Sequence, residues 1–286
     1  MTGISQLATL PDAPVWRGMS RAELDIAYDN SGAVRDSAEL LADWARRSAI
    51  LRASQPELID LVYGPRPRNV VDIFPCGRRN APLLVFIHGG YWQRNSKDVF
   101  SCMAQGPLAA GVDVAVPGYT LAPDATLAEI VDEVRTVLRW LRRYGPEMGI
   151  ATGRLIVSGW SAGGHLAACA MAMPEVDAGL AISGIFDLEP IRLGVLNDKV
   201  GLSREDASAL SPLLTIPSRA GRLVVACGGA ELPELQRQSS EHSAAWTASG
   251  LDGALLVLPG RNHFTILEDL ASPGGRLARE VAAFAA

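Results

Sequence analysis

The pentapeptide Gly159-Trp160-Ser161-Ala162-Gly163 sets a serine between two glycines. It follows the strand-like run Leu155–Ser158 and opens the Ala-rich, helix-like run Ala162–Met173. A strand that turns sharply into a helix lifts a serine hydroxyl clear of the backbone, and flanking glycines remove the side chains that would collide there. A Gly-rich surface turn could carry the same five residues, so the rest of the constellation has to decide. Serine is a poor nucleophile until a base takes its proton. On an open sheet of alternating strands and helices the partners follow in the order serine, acid, histidine, each on a loop after a later strand. The chain has four histidines. His88 precedes the elbow, and His165 lies one helical turn beyond Ser161. His242 sits within a polar helical run, where it is expected at the surface. His263, in the loop Pro259–Phe264 after the last strand, is the expected general base.

The acid is expected after the strand Leu223–Cys227, in Gly228-Gly229-Ala230-Glu231. Glu231 would orient the imidazole and stabilise its cationic form. Glu234 is the alternative, although a carboxylate there suits the start of the next helix. Acyl transfer also needs amide donors where the oxyanion develops, and losing one typically costs ~10²–10³ in turnover. The strand Leu83–Ile87 runs into His88-Gly89-Gly90-Tyr91-Trp92. The backbone N–H groups of Gly89 or Gly90, together with that of Ala162, are the expected oxyanion hole. His88 is read as a scaffold residue of this loop.

These residues need a scaffold that brings four distant loops together. The 286 residues could hold one large or two small α/β domains. Residues 1–18, rich in Pro and Gly, are expected as a loose arm. Met19–Tyr28 and Val34–Ala53 read as helices, with Leu40, Leu41, Trp44, Ile50 and Leu51 recurring at helical spacing. Strands are expected at Ile59–Tyr63 and Val70–Phe74, antiparallel across Gly64–Pro67, then at Pro82–Ile87, Val112–Val116, Leu155–Ser158, Ala178–Ser183, Arg222–Cys227 and Ala254–Leu258. Helices at Asp98–Ala110, Leu127–Tyr144, Glu234–Ser249 and the C-terminus alternate with them. That alternation predicts an α/β fold, a mostly parallel sheet of about eight strands covered on both faces. The segment 187–217 lacks a strand and is expected as a small cap.

Composition narrows the function classes. An apolar fraction of 48%, a charged fraction of 20% and a net charge of −5 describe an ordinary globular protein with no basic stripe for nucleic acid. No signal peptide and no membrane-length apolar run are visible. Cys76, Cys102, Cys169 and Cys227 lie in or beside apolar runs without C-x-x-C spacing, which predicts a reducing, cytoplasmic setting. No H-E-x-x-H or Cys/His cluster is present, so neither metal nor cofactor is expected. The expected partner is a small-molecule substrate, with no nucleic acid or membrane, and a homodimer is left open.

The elbow, the His88-Gly89-Gly90-Tyr91-Trp92 loop and Asn262-His263-Phe264 together resemble the α/β-hydrolase fold, and more narrowly the serine-dependent kynurenine formamidases (arylformamidases) of bacterial type. Tyr28-Asp29-Asn30, Tyr63-Gly64-Pro65, Asp72–Pro75, Ser183–Pro190 and Gly228–Glu231 extend the likeness from about Met19 onward. The resemblance implies hydrolysis of an N-formyl group on an aromatic amine, with Ser161, Glu231 and His263 as triad and no metal. Trp160, where such relatives often carry histidine, and Gly118 and Thr120 depart from the pattern beside the expected pocket. A formyl group needs little room, so specificity would lie on the leaving-group side, lined by Tyr91, Trp92, Phe186, Leu193 and Phe264. A carboxylesterase for short acyl esters and a non-catalytic ligand-binding protein on the same fold are the competing readings.

Overall fold

The computed structural model describes residues 13–285 of the chain. The expected loose arm, 1–18, lies largely outside that range, and the part within it is held. Trp16 Nε1 donates to Glu234 at 3.3 Å and Arg17 pairs with Glu241 at 3.1 Å. Helix α1 (Arg21–Ala27) opens on a Ser20/Glu23 capping box, each side chain bonding the other's backbone N–H. Helix α2 (Ser37–Ser54) follows, then the antiparallel pair β1 (Leu61–Val62) and β2 (Val70–Phe74). The chain next alternates through β3 (Leu83–Ile87), α3 (Lys97–Phe100), α4 (Gln105–Ala109), β4 (Asp113–Pro117), α5 (Leu127–Tyr144), β5 (Leu155–Trp160), α6 (Ala162–Ala170) and β6 (Ala178–Ile182). The residues expected as a cap form three short helices, α7 (Glu189–Leu193), α8 (Asn197–Val200) and α9 (Arg204–Ala209). The chain continues through β7 (Arg222–Gly228), α10 (Pro233–Ala248), β8 (Gly253–Leu258), α11 (Glu268–Ala271) and α12 (Arg276–Ala285).

The eight strands form one sheet in the order β1-β2-β4-β3-β5-β6-β7-β8, with β2 antiparallel to β4 and all later pairs parallel. Strands β3 to β6 are buried along their whole length, as continuous apolar runs between two helical layers require. Alternate residues serve opposite faces. Leu83, Val85 and Ile87 pack with α5 and α6 on one side, whereas Leu84 and Phe86 pack with Trp44, Phe100 and Leu277 on the other. The expected single helix at Asp98–Ala110 is instead α3, a 3₁₀ turn and α4. Pro107 has no N–H to continue a helical ladder, so an unbroken helix through this stretch would lose a bond. Among the described residues no helix is long and apolar enough to cross a membrane.

His242 contradicts its expected exposure. It is 1% exposed, its ring stacks on Phe186 at 4.3 Å and 8°, and neither ring nitrogen has a hydrogen-bond partner. Burial pushes His88 and His165 down to about 4 and His242 down to about 3. The folded state therefore keeps all three neutral, whereas the unfolded chain protonates them near ~6.5. Their contribution to stability is complete above that value and is lost as pH falls through the window from ~6.5 down to the folded values, at up to ~1.4 kcal/mol per pH unit for each ring. Replacing His242 by an apolar ring removes one of these penalties. His242→Phe should raise the urea midpoint more at pH ~5 than at pH ~8. An identical pH dependence in both proteins would refute this account.

Candidate active site

Five loops at the carboxyl ends of β3, β5, β6, β7 and β8 carry the candidate residues, the place where open parallel sheets bind ligands. Ser161 follows β5 with φ 58° and ψ −118°, a left-handed conformation that costs a serine ~1–3 kcal/mol and is held by its surroundings. Its N–H donates to the Ile182 carbonyl at 2.8 Å, tying the elbow to β6. The turn is tight enough that a Cβ on Gly159 would lie 2.1 Å from the Gly163 carbonyl oxygen. Ser161 and His263 are each 3% exposed and border one cavity of about 50 Å³. Among the described residues no hydrogen bond joins the two side chains, a looseness common in substrate-free sites.

His263 Nδ1 lies 2.9 Å from Glu231 Oε2. The other carboxylate oxygen, Oε1, accepts from Ser183 Oγ at 2.6 Å and from the Gly228 N–H. Glu234 is placed elsewhere: it pairs with Arg237 at 2.7 Å and accepts from Tyr28 and Trp16. Geometry thus separates the two glutamates that sequence order left open. Trp160 Nε1 donates to the His263 carbonyl at 2.7 Å, and the two rings lie 4.9 Å apart. The tryptophan before Ser161 therefore anchors the histidine loop.

The loop after β3 is pinned by its own residues. Burial pushes His88 down to about 4, and the neutral ring donates from Nδ1 to the Gly89 carbonyl at 2.9 Å, the scaffold role expected of it. Asn95 Nδ2 donates to the same carbonyl at 3.2 Å. A peptide's C=O and N–H point opposite ways, so this double anchor turns the Gly90 N–H away from His88 and Asn95. Gly90 borders the cavity of Ser161. Among the described residues no protein acceptor takes the N–H of Gly90 or of Ala162, the first residue of α6. A Cβ on Gly89 would sit 2.7 Å from the Trp160 carbonyl and 3.1 Å from Ser161 Cβ, so the loop lies directly against the elbow.

The expected substrate pocket divides. Tyr91, Trp160 and Phe264 border the cavity. Trp92 does not: it is fully buried, edge-on to His165 at 5.0 Å. Phe186 is fully buried against His242, and Leu193 packs on the core. Apolar side chains on site loops serve packing as readily as binding. Ser31, Arg94 and Asn95 border the cavity without having been singled out, as does Asn30, to which the family likeness gave no role at the site. Ser183 was missed as well, although φ 50° at a non-glycine residue directly after β6 marks it as held in place.

A family model described as BD-FAE matches residues 72–184. The kynurenine formamidase of Danio rerio is 29% identical over 280 residues, spanning 89% of this chain and 93% of the relative. A crystal structure from Silicibacter sp. TM1040, provisionally assigned as a thioesterase, superposes with a TM-score of 0.80 at 30% identity, covering 91% of this chain and 98% of that one. Carboxylesterase NlhH of Mycobacterium tuberculosis is 32% identical over 95 residues, 33% of this chain and 30% of its own. The parallel sheet with its serine elbow and these relatives make the chain an α/β-hydrolase, a hydrolytic enzyme. Within that family it belongs with the kynurenine formamidase-like proteins.

Proposed function

We propose that this hydrolase cleaves aryl formamides such as N-formylkynurenine through Ser161, His263 and Glu231. The observation that carries the reading is His263, paired with Glu231 at 2.9 Å, bordering with Ser161 a cavity of only about 50 Å³. Such a space suits an acyl group of one or two heavy atoms. His263 takes the Ser161 proton as the oxygen attacks the carbonyl. The N–H groups of Gly90 and Ala162 receive the developing oxyanion. His263 then returns the proton to the departing amine, and water removes the formyl group by the same path. Glu231 holds the ring so that Nε2 faces the serine and stabilises the imidazolium.

The test is the initial rate on N-formyl-L-kynurenine beside p-nitrophenyl acetate. Higher kcat/KM on the formamide supports the reading. Ester turnover without formamide turnover overturns it in favour of a short-chain carboxylesterase, the reading supported by the NlhH match. Absence of both, with no labelling of Ser161 by a fluorophosphonate, would leave a binding protein.

Ser183 bears on the same mechanism through Glu231. Ser183→Ala removes one of the two bonds to Oε1 and leaves that from Gly228. A hydrogen bond to a charged group is worth ~1.5–3 kcal/mol, so kcat should fall by about tenfold or more while KM changes little. An unchanged kcat would show that Gly228 alone holds the carboxylate.

A further inference from the structure

Two cavities meet at Tyr91 and Arg94. One is the cavity of Ser161 and His263. The other, about 310 Å³, is walled by Leu24, Ile26, Tyr28, Ile191, Val195 and Leu196, drawn from α1 and from α7 and its connection to α8. Tyr91 and Arg94 border both. The Arg94 guanidinium carbon lies 5.9 Å from the centre of the Tyr91 ring. Its backbone is fixed, since the Arg94 N–H donates to the Gly90 carbonyl at 3.1 Å. Its sequence neighbours have defined structural partners: Gln93 donates to the Leu196 carbonyl and Asn95 to that of Gly89. Among the described residues the Arg94 side chain takes part in no ion pair or hydrogen bond. The carboxylates of Asp25 and Asp29, which also border the larger cavity, are engaged by the N–H groups of Val195 at 2.7 Å and Gly32 at 2.9 Å.

An exposed arginine is usually just solvated. This one stands where a substrate would pass from the acyl side to the leaving-group side, because the carbonyl would sit at Ser161 and the second cavity is a large apolar space bordering Arg94. A guanidinium recognises carboxylates through two parallel hydrogen bonds. We propose that Arg94 reads an anionic substituent of the leaving group, while the larger cavity holds that group's apolar body. The substrate class is an aromatic amine or phenol that carries a carboxylate near the acylated atom and bears a small acyl group. The inference rests on hydrolysis at Ser161 but not on the acyl group being formyl.

Two substrate pairs test it, each differing by one carboxylate: N-formylanthranilate against formanilide, and acetylsalicylate against phenyl acetate. A neighbouring carboxylate also changes intrinsic reactivity, so the decisive quantity is how the anionic-to-neutral ratio of kcat/KM changes with residue 94. That ratio is internal to each protein and cancels any loss of folded enzyme. Arg94→Ala should lower it by about tenfold, Arg94→Glu should lower it further, and Arg94→Lys should retain part of it. The effect should appear in KM and shrink with added salt, as expected for a partly exposed charge. Ratios that stay the same in Arg94→Ala and Arg94→Glu overturn the proposal. If only the esters are cleaved but their ratio follows residue 94, the role of Arg94 stands and the formamidase reading falls. If the formamides are cleaved with a ratio indifferent to residue 94, the formamidase reading stands and this inference falls.

Discussion

Ser161→Ala should fold like the parent protein and lose hydrolysis of both formamides and esters by about 10⁵-fold or more. The size follows from the role proposed for the hydroxyl: without it no acyl-enzyme forms, and His263 and the loop amides have nothing to activate. Folding should survive because alanine keeps the same Cβ in the same left-handed backbone, φ 58°, that serine already tolerates. Among the described residues the Ser161 hydroxyl makes no bond whose loss would cost stability. The checks are a circular dichroism spectrum and melting temperature matching the parent, with loss of fluorophosphonate labelling. A folded variant that retained more than about a hundredth of the parent rate, given such expected losses, would remove Ser161 from the chemistry.

Gly163→Ala should act on the fold itself. A Cβ there would lie 2.0 Å from the Ile87 carbonyl oxygen and 2.6 Å from that of His88, both main-chain atoms. Neither can rotate aside as a side-chain tip could. Helix α6 would have to move off β3, opening a fully buried layer of the molecule and shifting the loop after β3 with it. A loss above ~3 kcal/mol is expected, the range that backbone strain and disrupted core packing produce together. Gly153→Ala is the control, because a Cβ there meets nothing within 4 Å. It should stay within ~0.5 kcal/mol of the parent. Equal urea midpoints for the two variants would show that α6 and β3 can separate at little cost.

The elbow was legible because its constraint is local. A buried strand, a helix and close-packed glycines within a dozen residues leave few other arrangements. The pairing of His263 with Glu231 was legible because chain order on a parallel sheet limits which loops reach the elbow. What escaped depends on partners far along the chain. His242 lies in a helix of polar composition, and it is buried where Phe186, 56 residues earlier, stacks on it. Trp92 and Phe186 carry the right chemistry for a binding wall, yet their rings turn into the core. Arg94 and Asn30 come to the site from separate loops, joined through Tyr91, whose hydroxyl accepts from Asn30 at 2.8 Å and donates to the Tyr28 carbonyl at 2.6 Å. Pattern in one stretch could not reveal such a meeting.

The walls of the larger cavity have a consequence for how such an enzyme diversifies. The matched family segment, residues 72–184, contains the elbow and the loop after β3, and none of Leu24, Ile26, Tyr28, Ile191, Val195 or Leu196 falls inside it. Those side chains come from a helix ahead of the sheet and from an insertion between β6 and β7. The elbow and most of the larger cavity's wall are thus written on separate stretches of the gene, with Tyr91 and Arg94 the lining residues inside the matched segment. If the larger cavity holds the leaving group as proposed, drift in the flanking helices would retune which molecules are accepted while the elbow stays in place, so a lineage built on this scaffold could change its diet without relearning its chemistry.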